Sequence, residues 1–229
     1  MSFVDHLEEL RWRLFKAILS VVIMAIVAFY FSDWIFRFLL VPLGDTKLYV
    51  TEVTGSFYAY LKIALFAGIF GAFPIVFYQL WMFVAPGLYK HEKKVVIPLV
   101  LISSALFLVG AGFCYVVVLP LALKFLIGFS GDLLNPIITV GSYISFAGLL
   151  MVTFGLAFEL PIIAFFLGKM GLISSQFLAR GRRYAIVIIL VIAAIITPPD
   201  VFTQVVLAIP IYFLYEVSII LVKFTGKKK

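Results

Sequence analysis

Long apolar stretches, separated by short polar connections, run through nearly the whole chain. Most of them reach the ~20 residues that an α-helix needs to cross the hydrocarbon core of a bilayer. The pattern predicts an all-α, polytopic membrane protein with six transmembrane helices. The predicted spans are residues 14–41, 57–84, 95–125, 143–167, 184–197 and 201–222. Because no internal repeat is visible, residues 1–229 are predicted to form a single integral-membrane domain.

The residues ahead of the first span follow a different pattern. Leu7, Leu10 and Leu14 recur at helical spacing, and charged residues occupy most of the positions between them. Residues 1–13 are therefore predicted to form an amphipathic helix that lies before the membrane.

The last two spans are predicted to be short. As a helix with a rise of about 1.5 Å per residue, residues 184–197 cover only ~21 Å, whereas a hydrocarbon core is ~30 Å thick. Thr197, Pro198, Pro199 and Asp200 then end this span sharply. Either the bilayer is thinner there or other protein shields the helix ends.

Composition excludes a water-soluble protein. The chain is 65% hydrophobic, has only 13% charged residues and has a mean hydropathy of +1.21, which leaves too little polar surface for a soluble fold. A net charge of +7 would suggest nucleic acid in a soluble chain, but here membrane orientation and anionic lipid explain it more simply. Cys114 is the single cysteine, so no intrachain disulfide is expected.

Lys and Arg collect at alternate ends of the predicted spans. The clusters lie within residues 11–16, 90–94, 169–183 and 223–229. Because cytoplasmic loops of membrane proteins are enriched in Lys and Arg, the side with these clusters is predicted to be the cytoplasm. Six spans then place both termini in the cytoplasm.

The enzyme motifs in the chain are incomplete. Residues 128–131, GFSG, resemble the GxSG of intramembrane serine proteases, but such a serine needs a base, and His6 and His91 both map to the opposite side of the membrane. The segment that begins at His91 also lacks the second histidine of an HExxH zinc site. We therefore predict no enzyme activity and no metal or other cofactor.

Polar residues within the spans are further candidates for function. Glu159 lies in the middle of the fourth span, where a charged acid costs roughly 2.5–3.5 kcal/mol. We expect it to be neutral, or to face a water-filled concavity or a partner. Thr197, Thr203 and Gln204 form a polar cluster at a membrane boundary, where they could equally serve as a helix cap.

Glu159 could also be the proton site of a small proton-coupled secondary transporter. This alternative needs a second polar group near the middle of the membrane and a detectable repeat, and the sequence offers neither. Lys62 and Glu216 are expected to reach towards the interfaces by snorkelling.

Two carboxylates lie among the cytoplasmic cations. Glu9 could pair with Arg13 on the next turn of the helix, and Glu92 could neutralise the lysines beside it. Displayed on one face, the two carboxylates could instead receive two cations of a ligand. Arginine side chains would fit such a site best, because guanidinium is always charged and binds carboxylate as a fork.

Four segments resemble one family of membrane proteins, in the same order along the chain. Residues 6–14, HLEELRWRL, resemble the motif that opens TatC, the signal-peptide receptor of the twin-arginine protein translocase. Residues 83–92, FVAPGLYKHE, resemble its first cytoplasmic loop, and residues 158–161, FELP, resemble its fourth-span acid. Residues 197–204, TPPDVFTQ, resemble its signature between the last two spans. The resemblance covers essentially the whole chain.

The resemblance implies a signal-peptide site on the cytoplasmic side. Glu9 and Glu92 would contact the paired arginines of a twin-arginine signal peptide, and Leu10, Arg11 and Phe83 would shape that patch.

The resemblance also implies sites elsewhere in the chain. Glu159 would face a concave groove of the helical bundle, in which the signal hairpin lodges. Contacts with the single-span partners TatA and TatB would be made by Thr197, Thr203 and Gln204. Elements outside the cytoplasm would include Pro42 and Asp200. Together with these partners and other copies of itself, the chain would export folded cargo across the cytoplasmic (inner) membrane, driven by the protonmotive force.

Overall fold

The structure is a computed structural model that describes residues 3–84, 96–128, 137–197 and 201–225. Helices make up most of these residues. The α-helices are α1 (Phe3–Tyr30), α2 (Ser32–Leu40), α3 (Gly55–Val84), α4 (Val96–Phe113), α5 (Leu119–Gly128), α6 (Val140–Ala157), α7 (Leu160–Lys169), α8 (Ser175–Ile196) and α9 (Val201–Thr225). A 3₁₀ turn, Val41–Leu43, follows α2, a π-helical turn, Cys114–Val118, joins α4 to α5, and two short strands are β1 (Leu48–Tyr49) and β2 (Ile138–Thr139).

Five segments are long and apolar enough to cross a membrane. They are Val4–Tyr30, Gly55–Phe83, Ile97–Gly128, Val140–Lys169 and Val201–Thr225. These segments overlap five of the six predicted spans. Four of them lie within a few residues of the predicted bounds, whereas the first begins and ends about ten residues before the predicted span 14–41.

The remaining predicted span, residues 184–197, lies within α8 except for Thr197, which follows its last residue. This helix has 22 residues. It begins at Ser175 because the Ser174 side chain caps it, accepting a hydrogen bond from the Phe177 backbone N–H at 3.1 Å. Its first turns carry three arginines, so its apolar part begins only near Tyr184 and is short, as predicted. The last helix, α9, is longer than predicted: it has 25 residues, since the helical pattern continues past Val222 to Thr225.

Two predicted boundaries differ from the observed ones. The amphipathic segment 1–13 is not a separate helix, because α1 continues without a break from Phe3 to Tyr30. The first span is instead divided at Phe31, where the Ser32 hydroxyl donates to the Phe29 carbonyl at 2.7 Å. The fourth span, by contrast, is interrupted where Glu159 and Pro161 predict: it divides into α6 and α7 at Glu159, and Pro161 lies in the first turn of α7, a position at which the missing N–H of proline costs nothing.

The chain divides into two compact units, of which the first is Met1–Leu108 with Ile138–Gly148. In this unit α1 packs along α3 with very little space between the backbones. A methyl group at Gly68 would lie 2.7 Å from the Cβ of Ala25, so only glycine permits this approach. The core of the unit is aromatic, with Phe107 stacked on Phe73 at 3.6 Å between ring centroids. Strands β1 and β2 pair in parallel.

The second unit is Val109–Ile137 with Leu149–Lys229. Here α7 and α8 both pack against α9. Gly110 lies against α6, where an added methyl group would come within 2.6 Å of the Phe154 carbonyl oxygen. The prediction of one domain over residues 1–229 stays a prediction.

Candidate functional site

Glu9 lies near the start of α1, ahead of the apolar residues that begin at Leu14. Its carboxylate oxygen Oε1 accepts hydrogen bonds from Arg13 Nε at 2.9 Å and from Arg13 Nη2 at 2.5 Å. The His6 Nδ1 atom is 3.8 Å from the other oxygen, Oε2. Glu9 therefore pairs with Arg13, which is one of the two alternatives that the sequence left open for this carboxylate.

The last turns of α3 complete the surroundings of Glu9. The Phe83 ring stacks on the His6 ring with 4.3 Å between centroids, and Arg13 Nη1 donates to Gln79 Oε1 at 3.4 Å. We call His6, Glu9, Leu10, Arg13, Gln79 and Phe83 the Glu9 patch. An apolar cavity of about 130 Å³ lies beside it, lined in part by Leu10, Arg13, Gln79 and Phe83.

The electrostatic environment of Glu9 favours its ionised form. The hydrogen bond from Arg13 is the main cause that lowers the pKa of Glu9; desolvation opposes it, and the charges of Arg13 and His6 add to the lowering. The side chain is 19% exposed. Among the residues that the structure describes, no group donates a hydrogen bond to Glu9 Oε2, and this oxygen is buried.

The other predicted residues of the signal-peptide site have different outcomes. Leu10 and Phe83 belong to the Glu9 patch. Arg11 is exposed on another face of α1, where it lines a surface depression with Trp12 and Phe15, and within the described ranges it forms no ion pair or hydrogen bond. Glu92 lies outside the described residues, so its predicted position near Glu9 is not tested.

Glu159 occupies the break between α6 and α7. Its side chain is almost fully buried, and its backbone carbonyl accepts the hydrogen bond from Ile163 N at 2.9 Å that opens α7. Phe113 contacts Phe158 next to it, with 5.8 Å between ring centroids. The predicted concave groove around Glu159 stays a prediction.

Two residues of the polar cluster near the end of α8 donate hydrogen bonds to the backbone of that helix. The Thr197 hydroxyl donates to the Ala193 carbonyl at 2.8 Å, so Thr197 caps its own helix, which was the alternative from the sequence. Gln204 Nε2 donates to the Leu190 carbonyl at 2.7 Å and joins α9 to α8. Thr203 is buried.

The two charged residues that are expected to snorkel both have partners within the protein. Glu216 on α9 forms a two-point pair with Arg182 on α8, from Nε to Oε1 at 2.7 Å and from Nη2 to Oε2 at 2.9 Å. Lys62 on α3 donates to Ser145 Oγ at 2.8 Å and to the Gly141 carbonyl at 3.3 Å. The opposite charges of Arg182 and Glu216, near the same end of two consecutive spans, were the signal that sequence reasoning missed.

The remaining predicted residues are structural or lie outside the described ranges. Pro42 lies in the 3₁₀ turn Val41–Leu43 after α2. Asp200 and most of the GFSG segment lie outside the described residues. Within the part of the chain that the structure describes, no three or more His, Cys, Asp or Glu residues form a group that could hold a metal ion.

Comparison with known proteins gives consistent matches over the whole chain. Residues 5–210 match the family model described as "Sec-independent protein translocase protein (TatC)". The TatC protein of Aquifex aeolicus is 46% identical over 100% of this chain and 98% of its own length. The TatC protein of Desulforapulum autotrophicum is 42% identical over 99% of this chain and 86% of its own length. A crystal structure described as "Twin Arginine Translocase Receptor- TatC" superposes with a TM-score of 0.89 and 46% identity, covering 97% of this chain and 100% of that one.

Proposed function

The chain belongs to the TatC family of Sec-independent protein translocase proteins. From this we propose that it is the receptor of a twin-arginine translocase: the chain binds signal peptides, and the translocase exports folded proteins. It is a multi-pass membrane protein with several apolar helices. Membership in a translocase family favours this function over a small proton-coupled transporter and over an enzyme.

The Glu9 patch is the observation that supports a signal-peptide site. Arg13 demonstrates that a guanidinium group fits against this carboxylate, since two of its nitrogens bond to Glu9 Oε1. Glu9 Oε2 accepts no hydrogen bond from the described residues, but it is buried, so the side chains that cover it would have to move before a peptide arginine could bind there. A carboxylate that accepts two hydrogen bonds from one guanidinium has the chemistry to bind that of a ligand.

We propose that the peptide's two arginines bind Glu9 and Glu92. Leu10 and Phe83 would contact the apolar residues next to the arginines, because both line the small cavity beside Glu9. Arg11 would act at the edge of the site, since it is exposed on a neighbouring face of α1.

Peptide binding to the purified full chain in nanodiscs tests this proposal. Labelled peptides carrying Arg-Arg, Lys-Lys or Gln-Gln would be titrated against the wild type, Glu9→Gln and Glu92→Gln. Glu8→Gln is the control, because Glu8 is an exposed neighbour with the same charge. We expect the Arg-Arg peptide to bind best and both site variants, but not the control, to lose most of the affinity. Equal binding of all three peptides, or equal loss in the Glu8 variant, would reject the site.

We further propose that TatA- and TatB-type single-span proteins dock at Thr197, Thr203 and Gln204. The short apolar part of α8 would leave these polar groups near the edge of the bilayer, where a polar residue of a partner could reach them. Of the three side chains, Gln204 is the one that is partly exposed. Glu159 would lie in the groove that accepts the signal hairpin, and further copies of the chain would complete the complex.

The proposed location is the inner membrane with both termini in the cytoplasm. The positions of the Lys and Arg clusters support this orientation through the positive-inside rule. Pro42 and Asp200 would then lie on the extracytoplasmic side. Cysteine labelling of intact cells at Asp5 and at Asp45 tests the orientation: the second position should react with an impermeant reagent and the first should not.

A further inference from the structure

A lysine lies inside the apolar helix α3, two turns after its first residue, Gly55. Lys62 is half-buried, and its ammonium group donates to Ser145 Oγ at 2.8 Å and to the Gly141 carbonyl at 3.3 Å. An ammonium group has three N–H donors, so two of them are accounted for by α6. The third remains for a ligand.

Lys62 lines a cavity of about 380 Å³ that also has an acidic residue in its wall. Glu52, just before α3, lines the same cavity, as do the polar side chains of Thr51, Thr139 and Ser142. Among the described residues, Glu52 and Lys62 form no ion pair with each other or with another group. One cavity therefore presents a positive and a negative group that do not neutralise each other directly.

An exposed apolar surface continues along α3 from this cavity. Leu61 and Leu65 are both 49% exposed, and Tyr58, which lines the cavity, is 52% exposed. Tyr58, Lys62 and Leu65 share one face of the helix, because they are four and three residues apart. A ligand that fills the cavity and follows this face needs a polar head and an apolar chain.

We propose that this cavity binds the headgroup of a zwitterionic phospholipid. The phosphate would accept charge-assisted hydrogen bonds from Lys62 and the neighbouring hydroxyl groups, and the amine would face the Glu52 carboxylate. An acyl chain would lie on Leu61 and Leu65. Basic pockets between transmembrane helices can bind lipid headgroups, and the acid opposite selects a headgroup that also carries a cation. The lipid would connect α3 to the start of α6 within the first unit.

Native mass spectrometry of the full chain, released from detergent, tests the proposal. Short-chain phosphatidylethanolamine and phosphatidylglycerol would be titrated separately, with soluble phosphoethanolamine as a third ligand. The variants are Lys62→Gln, which can keep the hydrogen bonds to α6 without the charge, and Glu52→Gln, in an exposed connection. Lys124→Gln is the control, because Lys124 is an exposed lysine on a different apolar helix.

The wild type should retain phosphatidylethanolamine in preference to phosphatidylglycerol. Lys62→Gln should weaken the binding of both lipids about tenfold, as expected for loss of one charge-assisted contact. Glu52→Gln should remove the preference between them, and Lys124→Gln should behave as the wild type does. Soluble phosphoethanolamine should bind much more weakly than the lipid if the acyl chain contributes. If soluble phosphoethanolamine binds as strongly as the lipid, the cavity still binds a zwitterion, but its ligand is a free molecule and not a lipid.

Three results would overturn the proposal. They are an unchanged lipid affinity in Lys62→Gln, an equal loss in Lys124→Gln, and a wild type that does not distinguish the two headgroups. Thermal unfolding of each variant, measured in the same detergent, separates loss of the site from loss of the fold. If Lys62→Gln does not fold, Glu52→Gln decides alone, because a preserved headgroup preference in that variant would contradict the assigned role of the acid.

Discussion

Arg13 occupies the place that the proposal gives to an arginine of the signal peptide. Its guanidinium donates twice to Glu9 Oε1 and once to Gln79 Oε1. A peptide arginine must therefore share Glu9 with Arg13 or displace it. Replacing Arg13 by Gln removes this competitor and leaves the carboxylate, so the affinity for an Arg-Arg peptide should rise.

The expected rise in peptide affinity is small, because Glu9 and Arg13 form a pair within one helix that is accessible to solvent. The Arg13 and Glu9 side chains are 20% and 19% exposed, and ion pairs between residues one helical turn apart at such positions are weak. We expect an increase of about twofold in peptide affinity at neutral pH and low salt.

The pH dependence gives a second readout with a defined sign. Arg13 lowers the pKa of Glu9, which keeps the carboxylate ionised to more acidic pH. In Arg13→Gln this effect is lost, the pKa of the unbound site rises, and peptide binding should begin to fall at a higher pH than in the wild type. The variant should thus bind more tightly at neutral pH and lose binding earlier on acidification.

Fluorescence anisotropy of a labelled peptide, titrated with the full chain in nanodiscs between neutral and acidic pH, measures both effects. Lys16→Gln is the control, because it removes the same charge from an exposed position in the same helix. If Arg13→Gln and Lys16→Gln change the affinity and its pH profile equally, the effect is one of net charge. A loss of affinity in Arg13→Gln would refute the competition and show that Arg13 positions Glu9 for the peptide.

Three further predictions concern packing and assembly. Phe107 is 0% exposed, so Phe107→Ala should lower the free energy of unfolding, measured by thermal denaturation, by about 3 kcal/mol. Leu108 is 56% exposed, so Leu108→Ala should change it by less than about 1 kcal/mol, and similar values for the two variants would contradict the assigned core. Arg182→Gln should lower the Tm at low salt by an amount that shrinks at high salt, because the pair with Glu216 is accessible to water; a shift that does not depend on salt would argue against this. Gln204→Leu should reduce co-purification of a TatB-type partner, and unchanged recovery would exclude Gln204 from the docking site.

The spans could be predicted from the sequence because membrane helices are set by length and apolarity. Their interruptions were harder to predict. Ser32 and Asp33 follow Phe31 directly, so the sequence did carry a polar signal at the division of the first span, and the prediction of one continuous span over residues 14–41 missed it. Pro161 did mark the break at Glu159, because a proline without an N–H is favoured in the first turn of a new helix. Pro74, by contrast, lies inside an uninterrupted α3.

The partners of the site residues depend on how the helices pack. The sequence offered the bond between Glu9 and Arg13 as one alternative, because the two are one helical turn apart. The contact of Arg13 with Gln79 joins residues 66 positions apart, and it depends on the register of α1 on α3. That register is fixed by the close approach at Gly68, and a single sequence does not reveal which residue faces a glycine.

A double-mutant cycle between the chain and the peptide tests the proposed receptor site most directly. Affinities would be measured for wild type and Glu9→Gln, each with a peptide that carries Arg-Arg and with peptides in which one arginine is replaced by Gln. If Glu9 binds one arginine, the two changes should be strongly non-additive for that arginine, with a coupling of at least about tenfold, and nearly additive for the other. Additive losses with both peptides would mean that Glu9 does not contact the arginine pair and that the signal peptide binds elsewhere.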